Sequence, residues 1–327
     1  MIEAQLGRCV AAWCPGATGV AGAEKLSGGA SQETWTFDIV HASGNIGAIL
    51  RRAPPGYGAS PSRAAGLDAE ATLMQLAYDA GLPSPRVLHV LTPGDELGTG
   101  FIMQRIEGET IARKILRDEQ FANARPMLAR QLGQIAAGIH ALDTSKLPKL
   151  RQMTAAREIA DLEREYRGFD WPRPVFELAL RWLRERDPGP SDEVTLVHGD
   201  FRHGNLIIGP DGVRAVLDWE LAHTGDPMED LGWICVNSWR FGEIDKPVGG
   251  FGSREELFAG YEAAGGRVDP ERVKFWEVMG TLRWGVMCCG MMQRFRVGPE
   301  HSVERAMIGR RSSETEIDLL RLLAPRK

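Results

Sequence analysis

Apolar and polar side chains alternate strictly from Thr34 to Val40 (TWTFDIV), and the run is rich in strand formers. After a Ser-Gly turn, Gly44 to Arg52 (GNIGAILRR) reads as its hairpin partner. Residues 63–82 then switch to a helical period, with Leu67, Leu73, Leu76 and Ala77 on one face and Gly81 as the stop. SPRVLHVLT (84–92) and GFIMQRIEG (100–108) predict two further strands. From Thr110 the character changes. Amphipathic helices are predicted over residues 121–142, 155–169 and 174–186, and again over 254–266, 270–295 and 303–324, with a short β segment interposed near residue 200. The expected class is α+β. A small β-rich N-terminal part, residues 1–105, precedes a larger and mostly helical part, residues 106–327, with the join near Gln104 to Gly108.

Composition narrows this picture only a little. Hydrophobic residues make up 43% of the 327 and charged residues 25%, which suits a globular chain with ample core. A formal net charge of -5 argues against a nucleic-acid binder. No run reaches the roughly 18 apolar residues of a membrane span, and the first residues, MIEAQLGRCVAAWCPG, lack the basic start of a signal peptide. The five cysteines (Cys9, Cys14, Cys235, Cys288, Cys289) form no C-x-x-C pair. Their scatter fits reduced thiols and a cytoplasmic location better than a disulfide framework.

Candidate chemistry concentrates in LVHGDFRHGNLIIGPDGVRAVLDWE, residues 196–220. Two apolar runs flank Gly-Pro-Asp-Gly, a strong hairpin signal. If Ile208 pairs with Val213, Asn205 at the start of one strand lies beside Asp218 at the end of the other. A carboxylate and an amide carbonyl are hard oxygen donors that suit Mg²⁺. A structural Asp and Asn at a strand end are the alternative reading. Asp200 adds to the first. It precedes Asn205 by five residues, the Asp-to-Asn spacing of the protein-kinase loop H-R-D-x-x-x-x-N. There the Asp takes the proton of the attacking hydroxyl and the Asn binds metal.

Taken together, HGDFRHGN, the hairpin and LDWE resemble the aminoglycoside phosphotransferase (APH) and choline kinase-like family. Within it, LRR-x-P-P-G after the third strand looks most like the kinase-like domains fused to some acyl-CoA dehydrogenases. The resemblance implies a bilobal protein-kinase-like fold, with a nucleotide-binding N-lobe and a catalytic, acceptor-binding C-lobe. It implies transfer of the γ-phosphoryl group of ATP or GTP to a hydroxyl of a small molecule. Asp200 would be the catalytic base, and Asn205 and Asp218 the ligands of Mg²⁺. Gly28, Gly29, Ser31 and Gln32 would cover the nucleotide phosphates. Arg51 would stand where many relatives carry a Lys, with Glu70 as its helix partner, although Arg52 and Asp68 compete for these places. The backbone of Gln104 and Ile106 would meet the adenine edge.

Other polar residues carry weaker expectations. His198 is read as structural support for Asp200, and Asp226 and Asp230 as structural acids. Asp226, Pro227 and Glu229 predict the N-cap, first turn and capping box of a helix running through Trp233. His203, Glu220 and Arg283 are candidates for the acceptor pocket. The acceptor itself is less constrained. A hydroxyacyl or hydroxy-acid compound fits the subgroup, and the slight excess of basic residues after Ser253 speaks against polycationic aminoglycosides. An antibiotic kinase remains an alternative, as does a nucleotide-binding module without turnover. A metal-dependent hydrolase built on His198, Asp200, His203 and His223 matches no known zinc spacing.

Overall fold

The computed structural model describes residues 2–26, 32–53, 64–298 and 302–324. In chain order the elements are α1 (Ile2–Trp13), β1 (Ala17–Leu26), β2 (Glu33–His41), β3 (Ile46–Ala53), α2 (Leu67–Asp79), β4 (Val87–Val90) and β5 (Thr99–Gln104). Next come α3 (Ala112–Arg117), α4 (Arg125–His140), α5 (Ala155–Arg167), α6 (Pro174–Glu185), β6 (Thr195–Val197), β7 (Leu206–Gly209), β8 (Gly212–Val216) and β9 (His223–Gly225). The last are α7 (Met228–Ile234), α8 (Arg254–Ala263), α9 (Pro270–Val297), α10 (Val303–Arg310) and α11 (Ser312–Leu323).

The chain forms two compact units. The first comprises residues 1–110, 142–151 and 204–222, and the second comprises 111–141, 152–203 and 223–327. The β7–β8 hairpin therefore belongs to the same unit as the N-terminal strands.

Unit 1 is built on an antiparallel sheet of order β1-β2-β3-β5-β4. The expected pairing of β2 with β3 is present, with Phe37 opposite Ala48. Alternation along β3 sends Ala48, Leu50 and Arg52 to the buried face and Ile49 and Arg51 to the other. Leu6, Cys9 and Val10 of α1 pack against Phe37, Ile39, Ala48, Leu50 and Ile102 to make the core of this unit. α1 was not expected, and β1 was implied only as the first of three strands, without bounds. The spacing of Leu6, Cys9, Val10 and Trp13 is helical and could have signalled α1. β1 is rich in Gly and Ala and only partly buried, so it carries little period-two pattern.

Unit 2 is helical apart from the two-stranded β6–β9 ribbon. α9 starts where Asp269 accepts the N–H groups of Glu271 and Arg272, with Pro270 in the first turn. α4 and α8 approach so closely that a Cβ on Gly133 would collide with the Leu257 carbonyl, and one on Gly260 with that of Arg130. The single helix expected over 303–324 is two, α10 and α11, broken at Arg311. All five cysteines are free thiols. Among the described residues no helix is long and apolar enough to cross a membrane.

Candidate active site

In unit 1 the tight turn folds β8 back on β7 with Ile208 opposite Val213 and Leu206 opposite Val216. The next residues out close the open end of the ribbon, where the Leu217 N–H donates to the Asn205 carbonyl at 2.8 Å. Asn205 and Asp218 thus leave the same end of one hairpin. Asp218 has a left-handed backbone, φ 66°. That conformation costs a non-glycine residue about 1–3 kcal/mol and recurs at functional sites.

Arg51 reaches this hairpin end from β3. Its Nε lies 3.0 Å from Glu70 of α2, and its Nη2 donates to Asp218 Oδ1 at 2.7 Å. Glu220 is 3.6 Å away. Arg52 turns to the other face and bonds Glu33 and the Leu97 carbonyl. One guanidinium therefore faces three carboxylates. Burial alone would weaken its hold on its proton, but Glu70, Asp218 and Glu220 raise it overall. Glu70, 1% exposed, has the opposite balance. Burial pushes its carboxyl up to about 7, Arg51 opposes the shift, and Asp218 and Glu220 add to it.

Gly28, Gly29 and Ser31 lie outside the described residues. Gln32 is half-buried, and its Oε1 is buried without a hydrogen-bond partner among the described residues. The Gln104 N–H donates to the Arg86 carbonyl at 2.9 Å, so it is not available for an adenine edge, contrary to the expectation. Ile106 is half-buried just beyond β5.

Unit 2 contains Asp200, 9% exposed. The loop carrying it is held from beneath by Asp230, which is fully buried. Asp230 Oδ2 accepts the His198 N–H at 2.8 Å and His140 Nε2–H at 3.1 Å, and Oδ1 accepts the Gly199 N–H at 3.0 Å. Burial alone would raise the Asp230 carboxyl, but His140, His198 and these donors hold it below the ordinary range. His198 Nδ1 accepts the Asp200 N–H at 3.2 Å. The Asp200 carboxylate accepts Trp233 Nε1–H at 2.9 Å and Arg202 Nε–H at 3.0 and 3.1 Å.

Three expectations on polar residues change. His203 is fully buried, with Nδ1 bonded to the Gly249 carbonyl at 2.9 Å and its ring against Phe241 and Phe251. Burial pushes its imidazole down to about 4. It therefore anchors the loop and does not line an acceptor pocket. Arg283 is likewise committed internally, 2.9 Å from Glu229, 3.7 Å from Glu158 and stacked 4.3 Å over Trp233. The capping box fails. α7 begins at Met228, whose N–H is taken by Asp226 Oδ1, and Pro227 occupies the cap. Glu229 points instead to His223, at 3.1 Å, and to Arg283; burial would raise its carboxyl, but these two partners pull it down to about 2. The second Asp226 oxygen takes Arg272 and Trp276.

His198, His203 and His223 each serve a different partner, and the hydrolase set does not assemble. The group of three metal-competent side chains that lies close together among the described residues is Cys9, His89 and Asp95.

The profile of the phosphotransferase enzyme family, APH, matches residues 22–276. This chain belongs to that family. Acyl-CoA dehydrogenase family member 11 of Gallus gallus is 28% identical over 243 residues, which cover 71% of this chain and 30% of that protein. The chain thus spans about a third of the length of this relative. Among solved structures, a protein of Ralstonia eutropha JMP134 assigned provisionally to the aminoglycoside phosphotransferases shares the fold with a TM-score of 0.76 and 20% identity, over 98% of this chain and 97% of that one. A thermostable mutant of aminoglycoside phosphotransferase APH(4)-Ia, solved with AMP-PNP and hygromycin B, has a TM-score of 0.64 and 18% identity, over 99% of this chain and 99% of that one. The fold of this APH-family chain is therefore kinase-like, with a small antiparallel sheet before a helical C-terminal region.

Two site residues escaped the sequence reading, Arg202 and Trp233. Arg202 lay inside the quoted loop, two residues after Asp200, where a basic side chain beside the acid was the available signal. Trp233 comes from α7, and only the folded chain shows that its indole meets Asp200.

Proposed function

We propose that this APH-family member transfers the γ-phosphoryl group of ATP to a hydroxyl group of a small molecule. The observation that supports this most is the β7–β8 ribbon, which sends Asn205 and Asp218 from one end while Arg51 bonds both Asp218 and Glu70. A cation, its buried acid and a second acid beside an amide are the parts a kinase uses on nucleotide phosphates.

The donors fit a hard divalent ion. Asn205 offers an amide oxygen and Asp218 a carboxylate held in a left-handed backbone conformation. Bound by these two, Mg²⁺ would offset the charge on the β- and γ-phosphoryl oxygens. Arg51 would neutralise the phosphates from β3. The glycine-rich segment with Gly28, Gly29, Ser31 and Gln32 would donate to phosphate oxygens, and the backbone at Gln104 and Ile106 would flank the base, the Gln104 N–H being engaged by the Arg86 carbonyl.

Asp200 would orient the acceptor hydroxyl and take its proton. The acceptor oxygen bonds to the γ-phosphorus, the bond to the β-bridging oxygen breaks, and the nucleoside diphosphate leaves. Asp230, His198 and Trp233 would hold Asp200 in place for this step. The acceptor reading is a hydroxyacyl or hydroxy-acid compound, in keeping with the acyl-CoA dehydrogenase relatives.

A coupled assay of ADP release with Mg-ATP over hydroxyacyl-CoA esters, hydroxy acids, aminoglycosides, macrolides and amino alcohols tests this. Asp200→Asn should lower kcat about 10²–10⁴-fold and leave nucleotide affinity in place. Nucleotide binding with no transfer to any acceptor would favour a binding module instead.

A further inference from the structure

We propose that Arg202 reads a negative charge on the acceptor, so that the acceptor class is a hydroxy carboxylate whose carboxylate lies within one or two carbons of the reacting hydroxyl. This rests on the kinase reading above and adds the chemistry of the second substrate.

The observation is how Arg202 is held. Its Nε spends its hydrogen on the two oxygens of Asp200, at 3.0 and 3.1 Å. Its guanidinium lies 4.9 Å over the ring of Trp239. That ring is fixed in turn by Trp233, with centroids 5.2 Å apart, and by Trp284, at 4.9 Å. Trp239 is only 4% exposed, so Arg202 covers its face. The guanidinium is planar, and two constraints, one at its edge and one at its face, leave it a single orientation. Its two Nη groups have no hydrogen-bond partner among the described residues, and the side chain keeps 28% of its surface in solvent. The result is a fork of N–H donors beside the proposed base, set on an aromatic floor.

A structural ion pair would not need this form. A guanidinium serving only to pair with Asp200 would place its Nη fork on the two carboxylate oxygens, the strongest geometry. Here the single Nε–H does that, and the fork is turned away. Asp200 accepts from Trp233 through Oδ1 and from Arg202 through both oxygens. A hydroxyl approaching Asp200 brings its substituents within reach of the Nη groups, two bonds beyond Nε. A carboxylate on such a substituent gains two charge-assisted hydrogen bonds. An ammonium group there would meet a fixed cation, which disfavours amino sugars and amino alcohols.

The test uses the purified full chain, as wild type, Arg202→Gln and Arg202→Lys, with saturating Mg-ATP. ADP release is followed with L-lactate and 3-hydroxybutyrate, with their neutral amides, and with 2-aminoethanol. In the wild type the acids should exceed their amides in kcat/KM by about 10²-fold. Arg202→Gln should remove that preference, bringing the acid-to-amide ratio of kcat/KM close to one through a higher KM for the acids, whatever the loss of its bond to Asp200 does to kcat for both, and Arg202→Lys should recover part of the ratio. Equal use of acids and amides by the wild type, preference for 2-aminoethanol, or a lower kcat in Arg202→Gln with the acid-to-amide ratio unchanged would each overturn the proposal. The last would show that Arg202 serves the transferring phosphoryl group. Equilibrium titration of tryptophan fluorescence with the same acids and amides reads the preference without turnover, and binding of acids no tighter than amides refutes it. Failure of the kinase reading shows separately, as absence of Mg-ATP binding and of ADP release to any acceptor or to water.

Discussion

Asp230→Asn isolates the brace beneath the proposed catalytic loop. The carboxylate takes three donors, the backbone N–H groups of His198 and Gly199 and the ring of His140, at 2.8, 3.0 and 3.1 Å. An amide has one oxygen. If that oxygen keeps the Oδ2 position, its NH₂ faces the Gly199 N–H, and a buried donor is left unpaired. An orphaned buried donor costs about 1–3 kcal/mol, and the two remaining bonds lose their charge assistance, so the variant should lose about 2–4 kcal/mol. Urea unfolding reads this as a lower midpoint at unchanged slope. The loop should also lose its fixed geometry, so kcat should fall about 10²-fold. Arg51, Asn205 and Asp218 belong to the other unit, so nucleotide affinity should not change. There is an acid-side signature too. Asp230 is depressed in the folded chain, so its stabilisation is present above the unfolded value of about 3.9 and is lost as pH falls through the folded value. The Asn variant should lack that contribution to acid unfolding. An unchanged urea midpoint, or weakened nucleotide binding with kcat intact, would refute the reasoning.

Glu70 should give the opposite pH dependence. Its carboxyl is raised to about 7, so its stabilisation is complete below the unfolded value and is lost as pH rises through 7. Stability of the wild type should decline by about 1–3 kcal/mol from pH 5 to pH 8, and Glu70→Gln should flatten that decline; parallel slopes would count against the assignment. Gly133→Ala should force α4 from α8, because the new methyl meets the Leu257 carbonyl and lies 2.7 Å from Tyr261 N. The expected loss is about 1–3 kcal/mol by urea midpoint, and a neutral result would mean that the crossing can give way.

The sequence carried the hairpin because local rules decide it. The turn residues set the reversal, and the apolar runs set the register at Ile208 and Val213. That Arg51 and Arg52 fall on opposite faces was legible for a similar reason, period-two alternation, and the fold adds that Arg51 meets Asp218 while Arg52 meets Glu33. The failures came where distant segments decide. Arg283 stood open between a pocket residue and a surface or salt-bridged one, and Glu229 and Glu158, reaching it from two other helices, pair with it. His203 stood open between a substrate contact and a scaffolding role, and a loop more than forty residues later buries it, as its bond to Gly249 shows. Asp226 and Glu229 had the spacing of a capping box, but stronger partners, Arg272 for one and Arg283 with His223 for the other, draw both side chains away. Trp233 became visible only once α7 returned to the loop.

The central claim is that Asn205 and Asp218 together hold the divalent ion that accompanies the nucleotide. Electron paramagnetic resonance of Mn²⁺, titrated with ATP into the wild type, Asn205→Ala and Asp218→Ala, tests it directly. Wild type should bind Mn²⁺ with nucleotide, and each variant should weaken that binding about tenfold or more. Mn²⁺ binding undiminished in both variants would contradict the account.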